Sequence, residues 1–550
     1  MTTIPYAMTA SSTCLFPQAA MQPDLSPYCQ VAEVPFIGTL LSDQWTPMQV
    51  FAALQQEVSS ETSSAKMPHG ILLESTEGDT RLARYSMIGY SPSFVMVCRD
   101  GTTHLEDPHT QTPVYTHQGD TLSLMSSVLS TLFTPQHQAL CHTHEGLSDL
   151  PFVGGWMGYM GYGLTTQLDA IPAQPHKLPA LQDIPECTMG FYKTFLVFDH
   201  LYRRLHFVSW EPQTKADALW VSLQACLQKA STVLKPLTLP NTWLKHTLAQ
   251  SGLDPSVTPA MTPEAFQEAV RSCKTLITQG EVFQIVLANA FVRRCTHDPL
   301  TIYRYLQALN PSPYGYYVQF PQGAYLGASP ETFVECGLLP LHSVSGASST
   351  SDSAPLRYIK VKSLAGTRPR GTTPQEDARL ARELQADPKE RAEHAMLVDL
   401  SRNDLGRVCQ IGTVKTGTIA EVLYYTHVMH LGTDIEGILA SDKTVFDALA
   451  SCFPRDTVTG APKIRAMMHL SQLEPYQRGI YSGMVGTLDA RHTLNSAIAI
   501  RSLTLNTRQE AVVQAGAGIV HDSVPEMEFL ETCNKARSIL KAIDITEALC

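Results

Sequence analysis

The chain reads as an α+β protein, and three observations predict it. Helix and strand signals alternate irregularly after residue 262, hairpin patterns recur, and the last third holds a legible three-strand meander. In the meander, 483–488, 495–505 and 511–519 read as strands joined by short polar turns. If Leu505 pairs near Glu510, Arg501 falls about two rungs from Gly516 on the neighbouring strand. A doubly wound parallel sheet would need a regular strand–helix alternation that this sequence lacks.

At 550 residues the chain exceeds one ordinary core, so two domains or one large composite are expected. With 44% hydrophobic and 17% charged residues it has the composition of a soluble globular protein. A formal charge of −11 and a pI near 5.9 argue against nucleic acid or an anionic membrane as the main partner. MTTIPYAMTASS lacks a basic segment followed by an apolar core, so no secretory signal is expected. No uncharged apolar run reaches the roughly 18 residues of a membrane span. The 13 cysteines, an odd number with no CxxC pair, point to free thiols in a reducing compartment. A cytoplasmic location is the expectation.

Taken in order, residues 1–34 are a polar lead-in, and 35–234 form an N-terminal region. There ILLES (71–75) and 93–99 read as short strands. TPQHQALCHTHEGLSDL (134–150) carries His137, His142 and His144, and reads as a solvated loop in preference to a metal site. The glycines of PFVGGWMGYMGYG interrupt an aromatic strand pattern and predict bulges or close backbone contacts. Residues 191–210 read as a hairpin and 215–234 as an amphipathic helix. The stretch 235–261, rich in Pro, Ser and Thr, is a linker to the region 262–545. That region opens with Thr262 as N-cap and Pro263 at the first helical position, leading a helix to about Gln279.

The chemistry concentrates around AGAGIVHDSVPEMEFLETCNKA (515–536). A glycine-punctuated strand precedes a helix on which Glu528 and Glu531, spaced i,i+3, leave the same face. Glu390 and Glu393 repeat the spacing upstream. Two such pairs facing each other suit Mg²⁺, a hard cation that takes oxygen ligands. Each pair also has a plainer reading as a surface helix, and in D-P-x-E Glu390 also fits as the closing residue of a capping box. Glu393 lies beyond that role, on a face that turns apolar (AMLVDL), where an idle buried carboxylate is costly. Ser523, Pro525 and Glu526 supply a second helix start, leaving Glu528 and Glu531 free. SLAGTRPRG (363–371) sets Gly366 and Thr367 before a basic loop, either an ordinary one or one that offers backbone N–H groups to an anion. Arg501, inside the apolar run AIAIRSLTL, calls for a carboxylate partner from protein or ligand. His430, after an apolar strand, is a proton-transfer group or a core histidine.

Together LLES, RYSMIG, NPSPY, GASPE, LAGTRPRG, EHAMLVDLSRNDLGR, TGAPKIRAM, IYSGMVG, AIAIRS and QAGAGIVHDSVPEMEFLET resemble the chorismate-utilising enzymes. Within them the chain is most similar to the large subunit, component I, of anthranilate synthase, above all over 265–542. The resemblance implies an α+β fold of two sheet-based lobes with helices and an active site in the cleft between them. It implies that chorismate and ammonia give aminodeoxyisochorismate, which loses pyruvate to give anthranilate, the first step of tryptophan biosynthesis. Carried over by motif, Glu393 and Glu531 would ligate Mg²⁺, with Glu390 and Glu528 near it directly or through water. Gly366, Thr367, Tyr481, Arg501 and the backbone of Gly516, Ala517 and Gly518 would bind chorismate, with Arg501 on the enolpyruvyl carboxylate. Glu331 of GASPE would be the general acid at the departing C4 hydroxyl, and His430 would assist proton removal at C2.

Gln284 stands where the isochorismate and salicylate synthases carry a water-activating lysine, and a neutral amide cannot be that base; ammonia fits better. Ala365 stands where many aminodeoxychorismate synthases of the folate branch have lysine, although Ser363 and Leu364 depart from the usual PIAGT motif. The resemblance places tryptophan feedback at Ser75, Pro313, Tyr314 and Gly315. Gly315 replaces the usual methionine, and the expectation is retained but weaker tryptophan binding through lost apolar wall. No amidotransferase elbow of the GxCxG kind is present. The resemblance therefore implies free ammonia or a separate glutamine amidotransferase subunit, in a heterotetramer. Two other readings compete: an aminodeoxychorismate synthase component I, and a silent chorismate- or tryptophan-binding partner that regulates an amidotransferase. The four glutamates with Arg501 and His430 argue against the silent partner.

Overall fold

The computed structural model describes residues 30–61, 68–75, 84–168, 179–238, 254–339, 356–425 and 428–549. Residues 1–29 of the lead-in and 239–253 of the linker lie outside the described residues. Among the described residues the strands form two twelve-stranded antiparallel sheets. The first runs from Phe36–Leu41 through Gly70–Glu74, Tyr314–Phe320, Gly323–Ser329, Ser502–Asn506 and Glu510–Ile519 to Gln284–Arg294. The second carries, in order, Val428–Ile438, Arg357–Pro369, Thr332–Leu338, Leu494–Ile498, Met484–Asp489, Gly155–Met160, Cys187–Tyr192 and Phe94–Arg99. The sequence regions 35–234 and 262–545 each contribute strands to both sheets, so the predicted α+β class takes the form of one interleaved pair of sheets.

The burial pattern explains the layering. Cys187–Tyr192 and Thr194–Asp199 are buried along their whole length, which requires cover on both faces. Phe94, Trp156, Phe191, Tyr316 and Phe320 share the core between the sheets, where Phe94 stacks on Phe191 at 5.0 Å. On the far side of the first sheet Phe51, Tyr303, Tyr317, Leu503 and Ile539 pack under the helices Pro47–Glu61, Pro299–Leu309 and Pro525–Leu549. Each such side chain contributes about 1.5–3 kcal/mol of burial free energy. Among the described residues no helix is long and apolar enough to cross a membrane.

Several expectations hold. The strands at 71–75 and 93–99 appear as Gly70–Glu74 and Phe94–Arg99, and the amphipathic helix as Gln213–Val233. The hairpin comprises Thr194–Asp199 and Arg204–Ser209, with Phe191 and Tyr192 belonging to the preceding strand. Thr262 caps Pro263–Thr278, its Oγ1 accepting the Ala265 N–H at 3.3 Å. In Gly155–Met160, a Cβ on Gly158 would lie 2.1 Å from the Thr188 carbonyl, the close backbone approach the glycine pattern predicted.

Three expectations are corrected. The stretch 134–150 is mostly helical, Pro135–Thr143, because Thr134 and Pro135 form a start signal. His137 serves that start, its Nδ1 accepting the Thr134 N–H at 3.2 Å, and His144 Nδ1 accepts from Gly146 N–H at 3.1 Å. The basic loop 363–371 largely continues the strand Arg357–Pro369, with a register shift between Ala365 and Arg368. The run 495–505 is not one strand: Leu494–Ile498 lies in the second sheet and Ser502–Asn506 in the first. Arg501, with φ +53°, makes the crossing. The pairing of Leu505 with Ala511 is within one residue of the expected register.

Candidate active site

The crossing at Arg501 lies beside a cavity of about 530 Å³, walled by strands of both sheets and by the two glutamate-bearing helices. In the helix Pro388–Gly406, Asp387 caps the start by accepting the N–H groups of Lys389 and Glu390 at 3.0 and 3.2 Å. The helical period then turns His394, Val398, Ser401 and Leu405 into the protein, while Glu390, Glu393 and Leu397 line the cavity. The Glu390 carboxylate accepts from Arg368 at 3.2 Å, so it has an ion-pair partner beyond the helix start. Glu393 Oε1 accepts from Gln284 Nε2 at 2.9 Å. On Pro525–Leu549, Glu528, Glu531, Lys535 and Ile539 form the facing stripe. Lys535 Nζ bridges Glu531 Oε1 (2.7 Å) and the Gly516 carbonyl (2.8 Å).

Burial, together with the charges of Glu390 and Glu531, raises the Glu393 pKa; burial and Glu531 likewise raise that of Glu528. Among the described residues no three acidic, histidine or cysteine side chains stand close enough together to hold an ion as placed. The donor set, four carboxylates on two facing helices, is nevertheless the chemistry a hard divalent cation selects.

The glycines of the strand Glu510–Ile519 form the floor. Gly516 and Gly518 face the cavity, whereas Ala517 points to the opposite side and packs with Phe266 and Val270. A Cβ on Gly518 would sit 2.9 Å from Gln284 Nε2, and one on Gly516 2.8 Å from Tyr481 Oη. The absent side chains thus admit those two polar groups. Tyr481 is 7% exposed, with the Arg478 guanidinium 5.8 Å from its ring centre.

Opposite, the shift in register at Gly366 (φ +65°) turns its carbonyl toward His430. His430 Nδ1 is 2.8 Å from that carbonyl and 3.1 Å from Thr367 Oγ1. A carbonyl only accepts, so Nδ1 carries the hydrogen and Nε2 the lone pair. Burial lowers the His430 pKa, against a smaller upward pull from the Gly366 bond, which favours this neutral base form.

Glu331 is 6% exposed, and burial pushes its carboxyl up to about 8, with Oε1 lacking a hydrogen-bond partner. At neutral pH it therefore carries a proton into the cavity wall. Arg501 is half-buried and, among the described residues, has no carboxylate within ion-pair distance. Its left-handed backbone costs about 1–3 kcal/mol, the kind of strain that accompanies functional sites.

All the substrate and metal candidates except Ala517 thus line one cavity. Lys389, Thr457 and Lys535 also line it and were not singled out from sequence. Lys535 was accessible through its i,i+4 spacing from Glu531; Thr457 lies just before the TGAPKIRAM motif, which assigns it no role.

Ser75, Pro313, Tyr314 and Gly315 converge on a second cavity between the sheets, which Glu74, Asn495 and Ser496 also line. Tyr303 Oη donates to Glu74 Oε2 at 3.0 Å, and burial raises the Glu74 carboxyl to about 7. A Cβ on Gly315 would lie 2.4 Å from the Gln307 side-chain amide nitrogen, so the space beside Gly315 is taken by a polar amide.

Comparison with known proteins bears on the family and the fold. The family model described as chorismate binding enzyme matches residues 94–541. The chain is 36% identical over 541 residues to anthranilate synthase component 1 of Synechocystis sp., covering 95% of this chain and 99% of that protein. It is 35% identical over 508 residues to the protein of the same name in Acetivibrio thermocellus, covering 90% and 94%. The crystal structure of anthranilate synthase component I from Streptococcus pneumoniae superposes with a TM-score of 0.65 at 32% identity, covering 84% of this chain and 93% of that one.

Proposed function

The chain belongs to the chorismate binding enzymes, and on that premise we propose that it is the large subunit of an anthranilate synthase, turning chorismate and ammonia into anthranilate and pyruvate. Gln284 carries the choice of nucleophile: its Nε2–H is donated to Glu393 at 2.9 Å, and an amide offers no basic lone pair to activate water. Ammonia needs no such base. Arg501 would take the enolpyruvyl carboxylate, and Gly366, Thr367, Tyr481 and the Gly516–Gly518 strand would frame the ring. Glu331, protonated at neutral pH, would give its proton to the departing C4 hydroxyl as ammonia bonds at C2. His430 Nε2 would then take the C2 proton as pyruvate leaves and the ring becomes aromatic. Glu393 and Glu531, with Glu390 and Glu528 beside them, would hold Mg²⁺, whose chemistry there would be Lewis-acid stabilisation of negative charge. A separate glutamine amidotransferase would supply the ammonia, in a heterotetramer. L-Tryptophan would bind at Ser75, Pro313 and Tyr314 as inhibitor. The expected location is the cytoplasm.

The test is purified chain with chorismate, ammonium and Mg²⁺, followed by anthranilate fluorescence and product chromatography. Anthranilate is the expected product. Aminodeoxychorismate alone would move the chain to the folate branch, and no turnover would make it a silent partner. In the same assay saturating L-tryptophan should lower the rate, and Ser75→Leu should relieve that inhibition. Unchanged activity at saturating tryptophan would remove the effector reading.

A further inference from the structure

The wall behind Glu331 is both buried and charged. Arg455 and Asp456 are each 0% exposed and face one another with Nη2 and Oδ1 3.4 Å apart. Arg455 Nη2 also donates to Ser401 Oγ at 2.9 Å, and Ser401 lies 2.8 Å from Ser363 in the strand that borders the cavity. Beside it, Lys463 pairs with Asp404 at 2.7 Å, and the Asp404 charge also acts on Arg455. Thr457, directly after Asp456, lines the cavity with Glu331. Both carboxylate oxygens of Asp456, Nε and Nη1 of Arg455, Thr457 Oγ1 and Glu331 Oε1 are buried without hydrogen-bond partners.

An ion pair so poorly hydrogen-bonded in the interior is often less stable than an apolar pair of the same volume. Fold stability alone is therefore a weak reason for it. Burial dominates the state of the Glu331 carboxyl, but Arg455 draws it toward ionisation while Asp456 opposes that pull. With Asp456 gone, the carboxylates left near the buried guanidinium would be Asp404, already held by Lys463, and Glu331, which has no cationic partner of its own.

We propose that Asp456 is a positioning residue for the general acid: it occupies Arg455, which would otherwise pair with Glu331, and so keeps the Glu331 proton available to the leaving hydroxyl. This rests on Glu331 being the acid. From the other walls Glu393, His430 and Arg501 face the same cavity, and they are the same residues in every variant compared.

The experiment is the pH profile of kcat at saturating chorismate and constant free ammonia. Asp456→Asn should move the alkaline limb down by about 1–3 pH units, the range of an opposite charge beside a carboxyl. Arg455→Met should move it up. The double variant Arg455→Met/Asp456→Leu should return it close to wild type, an outcome that a purely structural role does not produce. The opposed directions keep the test decisive if one single variant fails to fold. A limb unmoved in the single variants, or shifted alike in single and double, overturns the proposal. If Glu331→Gln retains both activity and the alkaline limb, it is instead the assignment of Glu331 as acid that fails.

Discussion

Glu331→Gln is expected to lower kcat by about 10²–10⁴-fold, the usual contribution of a positioned general acid, while leaving KM for chorismate nearly unchanged. Gln keeps the shape and hydrogen-bonding capacity of the protonated acid but has no proton to give. The same group predicts a pH dependence. Its carboxyl is raised to about 8 by burial, so the rate at constant free ammonia should fall as pH rises through that value. Stability should follow the same sign. Because the folded-state pKa lies above the unfolded one, the group's contribution is fully present below the ordinary carboxyl range and is lost as pH rises through about 8. Thermal unfolding of wild type and Glu331→Gln at pH 6 and 9 checks this: wild type should lose ground to the variant at the higher pH. Parallel unfolding curves and an intact kcat would remove Glu331 from the acid role.

Glu531→Gln is expected to cost about a thousandfold in Mg²⁺-dependent rate, the several kcal/mol that a metal supplies to a developing charge. The fold should survive, since the Glu531 side chain is 47% exposed and its ion-pair partner is Lys535, which also holds the Gly516 carbonyl. Calorimetric titration with Mg²⁺ gives a readout apart from turnover, and binding should weaken at least about tenfold. Wild-type affinity together with wild-type rate would take Glu531 out of the metal site. Glu393→Gln is the companion variant. It removes a half-buried carboxylate whose pKa is already raised, so it should weaken the ion without weakening the fold.

The family, the order of motifs and the carboxylates, arginine, histidine and glycines of the cavity are legible in the amino-acid sequence, because each lies in a short local pattern. The two i,i+3 glutamate pairs follow from helix geometry alone, and the glycine-punctuated strand before Glu528 follows from the run AGAG. The N-cap at Thr262 and the helix Gln213–Val233 are likewise local and come out as expected. What fails are readings that depend on what lies across the fold. The histidines of 134–150 look solvated in sequence, yet His137 closes a helix start.

The run AIAIRSLTL shows the boundary most clearly. By itself it determines an apolar, extended segment with one arginine, and its alternation is as good for one strand as for two. Only the pairing partners decide that 494–498 joins Thr332–Leu338 and Met484–Asp489 while 502–506 joins Gly323–Ser329 and Glu510–Ile519. That choice places Arg501 at the crossing and beside Glu331, His430 and the glutamate helices. The buried pair of Arg455 and Asp456 is equally invisible in sequence, since adjacent opposite charges ordinarily mark a surface. Local periodicity is encoded residue by residue, whereas burial and charge state depend on which distant segments close over a side chain.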